Sequence, residues 1–197
     1  DVSIQERNFL GRGQFIKAAV QYGESQRGYS LSFTEPYFMG RRISAGFDLY
    51  VSHYEDTYFR SYSEDSKGAT VRLGFPMTDN LTLGTSYSLM QQDIMLSRSQ
   101  VDGDYRNGEA SLAYKQYIAQ GNKRGNIFNP CPRASDCHRE SITSMPSLYL
   151  TYNSLDSVQF PRDGIYAKLQ TDFAGLGGDV SFLRTTFDGR YYREINA

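Results

Sequence analysis

Residues 43 to 52 read Ile43-Ser-Ala-Gly-Phe-Asp-Leu-Tyr-Val-Ser52. In an extended chain, Ile43, Ala45, Phe47, Leu49 and Val51 share one face, and Ser44, Gly46, Asp48, Tyr50 and Ser52 share the other. A period of two held over ten residues marks a β-strand with one apolar and one polar face. The same pattern recurs in both directions. Leu81, Leu83, Tyr87 and Leu89 alternate with Thr82, Gly84, Ser86 and Ser88. Ala69, Val71, Leu73 and Phe75 alternate with Thr70, Arg72 and Gly74. Ile16, Ala18, Val20 and Tyr22 oppose Lys17 and Gln21. Tyr29, Leu31 and Phe33 oppose Ser30, Ser32 and Thr34. Leu148, Leu150 and Tyr152 oppose Ser147, Thr151 and Asn153. Ile165, Ala167, Leu169 and Phe173 oppose Tyr166, Lys168, Gln170 and Asp172. Val2 and Ile4 open the series, and Leu183, Thr185 and Phe187 close it. The pattern predicts an all-β chain, an antiparallel up-and-down meander of about nine strands.

Composition agrees. The 197 residues include 16 Tyr, 12 Phe and 18 Gly but no Trp, a mix that disfavours a helical bundle. The net charge of -1 excludes a polyanion binder held by a strong positive field, so no nucleic-acid partner is expected. No run of about 18 apolar residues offers a transmembrane helix. Many of the strands, however, reach the roughly 9–11 residues that cross a bilayer when tilted.

The polar face carries Lys17, Asp48, Arg72, Lys168 and Asp172 in mid-strand. In a β-sandwich that face is the solvated outside; in a membrane barrel it is the lumen, with the apolar face toward lipid. The connections favour the second reading. Those near Leu10–Gly13, Tyr37–Arg41 and Pro76–Asn80 are short, while the fourth (about Tyr54 to Lys67) and the sixth (about 92–143) are long and hydrophilic. Both long ones have even parity and therefore leave the same rim of a meander, as in outer-membrane barrels. The seventh, Asn153 to Gly164, is a medium-length exception. Tyr37, Phe38, Tyr54, Tyr58, Phe59, Tyr191 and Tyr192 sit at strand ends, as interfacial girdles do.

Inside the sixth connection, Ala110, Ala113, Tyr114, Tyr117 and Ile118 recur at helical spacing. A short helix packed on its own loop is the first reading, and a lid over the barrel mouth the second. Lys123, Arg124, Arg133 and Arg139 follow, nearly cancelled by Asp102, Asp104, Glu109, Asp136 and Glu140. Cys131 and Cys137 lie six apart in the same stretch. A disulfide closing a small loop is the first reading, two free thiols the second, and a metal site the last, because only His53 and His138 could join them.

No catalytic constellation stands out: no nucleophile elbow, phosphate-binding glycine loop or His-rich metal pattern. Gly175-Leu-Gly-Gly178 reads as a turn. Asp48 and Asp172 read as solvated side chains rather than a glycosidase pair. No enzyme activity, metal or cofactor is expected.

Five segments, in order, resemble one family. They are Asn8-Phe-Leu-Gly-Arg-Gly13, Thr34-Glu-Pro-Tyr-Phe38, Gly74-Phe-Pro-Met-Thr-Asp-Asn80, Tyr152-Asn-Ser-Leu-Asp156 and Phe160-Pro-Arg-Asp-Gly164. The set resembles the barrel of the BamA family, outer-membrane assembly factors of Gram-negative bacteria, along nearly the whole chain. Its turn residues make physical sense. Gly11 and Gly13 permit positive φ. Pro36 and Pro161 cannot donate to a ladder, and Tyr37 and Phe38 follow Pro36 at a strand end. Asp163-Gly164 supplies turn chemistry after Phe160-Pro161.

The resemblance implies that residues 1–197 are the N-terminal half of a 16-stranded outer-membrane β-barrel, without the POTRA domains and the C-terminal barrel half. The 92–143 loop would then be extracellular. It implies a non-enzymatic role in the bacterial outer membrane, folding and inserting β-barrel proteins through a lateral seam. The implied partners are the lipid bilayer, client β-barrel proteins and accessory assembly lipoproteins. The alternatives are a two-partner secretion transporter of the same superfamily, a passive porin or adhesin, and a soluble β-sandwich. A piece with two open sheet edges is also expected to oligomerise edge to edge.

Overall fold

The computed structural model describes residues 1–57, 60–101, 110–121, 125, 129–132, 137–157 and 159–194. Nine strands form one antiparallel sheet in simple sequential order. They are β1 (Val2–Phe9), β2 (Gln14–Tyr22), β3 (Gln26–Glu35), β4 (Ser44–Tyr54), β5 (Ser63–Pro76), β6 (Leu81–Met95), β7 (His138–Asn153), β8 (Gly164–Ala174) and β9 (Phe182–Tyr192). Two helices, α1 (Arg98–Val101) and α2 (Leu112–Gly121), lie between β6 and β7, and a 3-10 turn (Phe38–Gly40) lies between β3 and β4. Among the described residues no helix is long and apolar enough to cross a membrane, which says nothing of crossing by strands.

The register places the two faces as the alternation predicts. Ile4, Ala18, Leu31, Leu49, Ala69 and Leu89 are consecutive cross-strand partners, a continuous apolar row over six strands. Thr34, Gly46, Arg72, Ser86, Ser147, Asp172 and Arg184 form the matching polar row. The apolar face is open: Phe47, Leu49, Val51, Val71, Leu89, Leu148 and Leu150 are all exposed. No second sheet closes over it among the described residues, which removes the β-sandwich.

The buried apolar cluster sits instead at the end of β6 and in the connection that follows it. Ile94, Leu96, Val101, Ala110 and Ile118 bury one another, and Tyr62, Tyr114, Tyr117, Cys131 and Cys137 pack around them. Here α2 packs against Tyr62, Ile94 of β6 and the start of β7.

Two boundaries differ from the sequence reading. β6 and β7 extend to Met95 and from His138, so the sixth connection spans 96–137 rather than 92–143. β5 starts at Ser63, so the fourth spans 55–62 rather than 54–67. It is thus shorter than 154–163 on the opposite rim, and the asymmetry between the rims rests on 96–137. Both differences share a cause. Beyond the apolar belt the outward face turns polar, with His53, Asp65, Asp93 and Glu140 as consecutive partners, and alternation vanishes although pairing continues. Pro146 obscures β7 further. The backbone groups of Ile142 and Ser144 face the β8–β9 loop, bonding Asp179 and Gly175. The nitrogen of Pro146 shares that side, just where the β7–β8 ladder begins at Ser147, so its missing donor breaks no ladder bond.

Candidate functional site

The sheet tapers. From β7 back to β1, leaving nothing out, the strands shorten through 16, 15, 14, 11, 10, 9 and 8 residues. β1 is exposed along almost its whole length and pairs only with β2 among the described residues. Its outward face offers two apolar side chains, Val2 and Ile4, before Glu6.

The β1–β2 ladder is itself irregular. Glu6 opposes Ile16 and Phe9 opposes Gln14, so Arg7 and Asn8 together face Phe15, the count of a β-bulge. Asn8 organises the turn that follows: its Oδ1 accepts from Gly13 N at 2.7 Å and its carbonyl from Gly11 N at 3.0 Å. Leu10, Gly11 and Gly13 all take positive φ, which explains both glycines of the motif and leaves Leu10 in a conformation costing about 1 kcal/mol or more. A bulge and a strained turn thus lie together at the β1–β2 end of the sheet.

The motif residues do not form one constellation. They occupy three turns of one rim. Gly11 and Gly13 lie at 10–13, and Pro36, Tyr37 and Phe38 at 36–43, where Pro36 Cγ would lie 3.9 Å from a Cβ on Gly13. Phe160, Pro161 and Asp163 lie four strands away at 154–163, and Gly164 opens β8 directly after them.

The last turn is held by Asp156, the final residue of the fourth motif segment. Asp156 Oδ1 accepts from the backbone of Arg162 at 2.9 Å and of Asp163 at 3.3 Å, and Asp156 N donates to Asp163 O at 3.1 Å. These bonds, Arg162's first, hold the Asp156 carboxyl below the usual carboxylate range. Ser154 closes the base of the turn through Ile165 N at 3.0 Å. Gly164 is fixed by space as well as by its φ of 119°, because a Cβ would stand 2.3 Å from Ser154 O. An Asp seven residues before Asp-Gly is the signal available in the sequence.

The polar face carries paired charges. Arg72 Nε lies 3.0 Å from Asp48 Oδ2, an ion pair not aligned as a hydrogen bond, while its Nη2 donates to Thr34 at 3.3 Å. Asp172, 1% exposed, accepts from Arg184 Nε at 2.9 Å and Nη2 at 2.7 Å, and from Gln170 at 2.8 Å. Asp48 and Asp172 thus lie on β4 and β8, each against its own arginine. His53 pairs with Asp65 and Glu55, and His138 with Asp93. Among the described residues no group of three or more His, Cys, Asp or Glu is placed to hold a metal ion.

At the far rim Cys131 and Cys137 are joined as a disulfide, with Cα atoms 4.9 Å apart. Arg60 lies over the rings of Tyr54 and Tyr62 at 4.5 and 4.3 Å. Tyr62 meets Tyr114 of α2 with ring centroids 4.2 Å apart, and their hydrogen bond, with burial, pushes the Tyr114 hydroxyl up to about 12. Gln100 donates to Asp56 at 2.9 Å and Arg139 to Tyr117 O at 2.6 Å. These contacts bind the fourth and sixth connections into one unit. Of the loop charges and strand-end aromatics named from the sequence, Tyr58, Phe59, Asp102, Asp104, Glu109, Lys123, Arg124, Arg133 and Asp136 lie outside the described residues.

An open meander with a continuous outward apolar face and charged inward rows is a segment of a membrane β-barrel. Residues 8–197 match the Omp85 superfamily domain, and the chain belongs to that superfamily of bacterial outer-membrane proteins. It is similar to the outer membrane protein assembly factor BamA of Nitratidesulfovibrio vulgaris, 24% identical over 195 residues, covering 98% of this chain and 21% of that protein. It is similar also to BamA of Neorickettsia risticii, 26% identical over 185 residues, 94% of this chain and 21% of that one. The crystal structure of BamA from Haemophilus ducreyi lacking POTRA domains 1-3 shares the fold. Its TM-score is 0.65 at 20% identity, over 93% of this chain and 32% of that one. The chain spans about a fifth of the length of the curated relatives it matches.

Proposed function

We propose that this segment belongs to an outer-membrane assembly factor, which folds and inserts β-barrel proteins without enzymatic chemistry. The carrying observation is the similarity to BamA proteins along nearly the full chain, on a sheet whose strands shorten from β7 to β2. Short strands carry fewer ladder bonds and a shorter apolar belt. They thin the bilayer beside them and lower the cost of opening the sheet there. In this reading β1 lies one strand from a lateral seam, and a client strand adds to the edge exposed when that seam opens. The 96–137 unit lies outside the cell, and the four opposite turns face the periplasm. Partners are the bilayer, client barrels and accessory lipoproteins.

The test is client folding by the full-length protein in liposomes, read by the heat-dependent gel shift of a urea-unfolded barrel. A proline at Ser3 or Gln5 of β1 should slow folding severalfold while the factor itself still inserts. Client folding no faster than in empty liposomes, or export of a soluble polypeptide instead, would remove this reading.

A further inference from the structure

The short-turn rim carries a groove that the assembly role leaves unused. Its volume is about 870 Å³. The floor is the outward face of β3–β5, where Phe33 and Phe47 stack as direct partners with centroids 5.7 Å apart, flanked by Val71 and Leu73. Phe38 and Met39, from the turn between β3 and β4, form a wall that stands out from the sheet. Met39 holds a positive φ of 56°, the backbone conformation that turns this segment.

The mouth is polar and carries opposite charges. Arg12 lines it from the β1–β2 turn and Glu35 from the end of β3. Glu35 is held in place by Gln14 Nε2 on one carboxylate oxygen and by Tyr37 N on the other at 3.0 Å. No ion pair joins Arg12 to Glu35 among the described residues, so each keeps capacity for an outside partner. Arg42 and Asp79, on neighbouring turns of this rim, lie 4.0 Å apart and outside the groove lining.

The turns around the mouth carry the apolar side chains expected where a bilayer changes from hydrocarbon to headgroup. Each turn of this rim exposes a large apolar side chain: Leu10 at 75%, Met39 at 83%, Met77 at 61% and Phe160 at 80%. Four such side chains in water are unfavourable; immersed at a lipid interface they anchor the rim.

We infer that this groove is a binding site for one glycerophospholipid with a primary-amine zwitterionic headgroup, phosphatidylethanolamine. An acyl chain lies along Phe33, Phe47, Val71 and Leu73. The Arg12 guanidinium takes the phosphate, and the Glu35 carboxylate accepts from the ammonium. A quaternary ammonium has no proton to donate to Glu35, and a headgroup bearing only negative charge meets Glu35 as a like charge. The inference rests on the membrane-barrel fold, and its test in detergent is independent of client folding.

Native mass spectrometry of the detergent-solubilised full-length protein, with phosphatidylethanolamine, phosphatidylcholine and phosphatidylglycerol added in turn, tests it. One phosphatidylethanolamine per protein is expected, bound about tenfold more tightly than either competitor. R12A and E35Q should each weaken it by roughly fivefold, and R12K should recover most of the loss. M39S, which opens the wall and leaves both charges, should weaken all three lipids alike. Circular dichroism checks that each variant is folded. Equal binding of the three lipids overturns the site, as does tighter phosphatidylglycerol, tighter phosphatidylcholine, or adducts indifferent to both R12A and E35Q.

Discussion

The ring of Tyr149 occupies the space in front of Gly84, its direct partner across β6 and β7: a Cβ at Gly84 would lie 2.0 Å from Tyr149 Cζ. Tyr50 stands the same way over Gly68, where a Cβ would lie 2.7 Å from its ring. Both tyrosines belong to the polar face and lie down on it, filling strand positions where glycine would otherwise leave a gap. Gly84→Ala should therefore cost about 1–3 kcal/mol by forcing the ring off its rotamer. Chemical unfolding of the full-length protein in liposomes measures it. A loss below about 0.5 kcal/mol would mean that the ring is free to move aside.

Leu49 sits in the apolar row from Ile4 to Leu89 and is 44% exposed. Lipid covers that exposure in a membrane. Leu49→Arg is expected to destabilise the inserted protein by about 2–4 kcal/mol, whereas Ser30→Arg, on the opposite face, should stay within about 1 kcal/mol. The same unfolding experiment compares them. Equal effects would mean that both faces meet water.

The strands are legible because each separates two environments, and alternation records that contrast. From Ile43 to Val51 every second residue is apolar, and register, face and order follow. Legibility fails where the contrast fails. Past Val51, Ala69 and Leu89 the outward face turns polar, so the paired row His53, Asp65, Asp93 and Glu140 reads as loop. It fails at Pro146, whose place in a strand depends on a neighbour ending there. The turn motifs are visible as residues, but their partnerships are not. Asp156 binds backbone groups, and no side-chain pattern marks the amides of Arg162 and Asp163 as its partners. Glu35 and Arg12 come together only through the register of β2 and β3.

Asp156 makes the β7–β8 turn sensitive to acid. Its folded pKa lies below the ordinary carboxylate value, so its contribution is present above the unfolded pKa and is lost as pH falls through the folded one. Amide exchange at Arg162 and Asp163 should lose protection, relative to the other amides, as pH drops below about 4. Asp156→Asn keeps an acceptor but not the charge, and should flatten that dependence while weakening protection at neutral pH. The same acid profile in Asp156→Asn would show that other groups hold the turn.

At the opposite rim the Cys131–Cys137 disulfide packs against the cluster that includes Ile118 and Tyr114, and Cys137 O accepts from Leu96 N at 2.8 Å. Cutting it should loosen the 96–137 unit without unfolding the sheet, because the strands pair independently of it. Reduction, or Cys131→Ser with Cys137→Ser, is expected to speed proteolysis within 96–137 severalfold and leave the β-sheet circular dichroism unchanged. Arg60→Ala, which removes the cation between Tyr54 and Tyr62, should have a smaller effect in the same direction. Loss of the β signal on reduction would make the disulfide part of the barrel's own stability.

Residues 1–197 taken alone present two sheet edges with no partner strand among the described residues. β1 exposes one, and β9, from Phe182 to Tyr192, exposes the other. Hydrocarbon offers no hydrogen bonds to these backbone groups, so each unsatisfied group costs several kcal/mol in a micelle or bilayer. β1 has little to blunt association, with no proline and only Glu6 charged toward lipid before the bulge. Residues 1–197 refolded in detergent should therefore associate edge to edge into dimers or larger species, seen by light scattering after size exclusion. A proline at Ser3 should shift the population toward smaller species by blocking one edge. A monodisperse monomer in both cases would mean that detergent or the chain itself satisfies those groups.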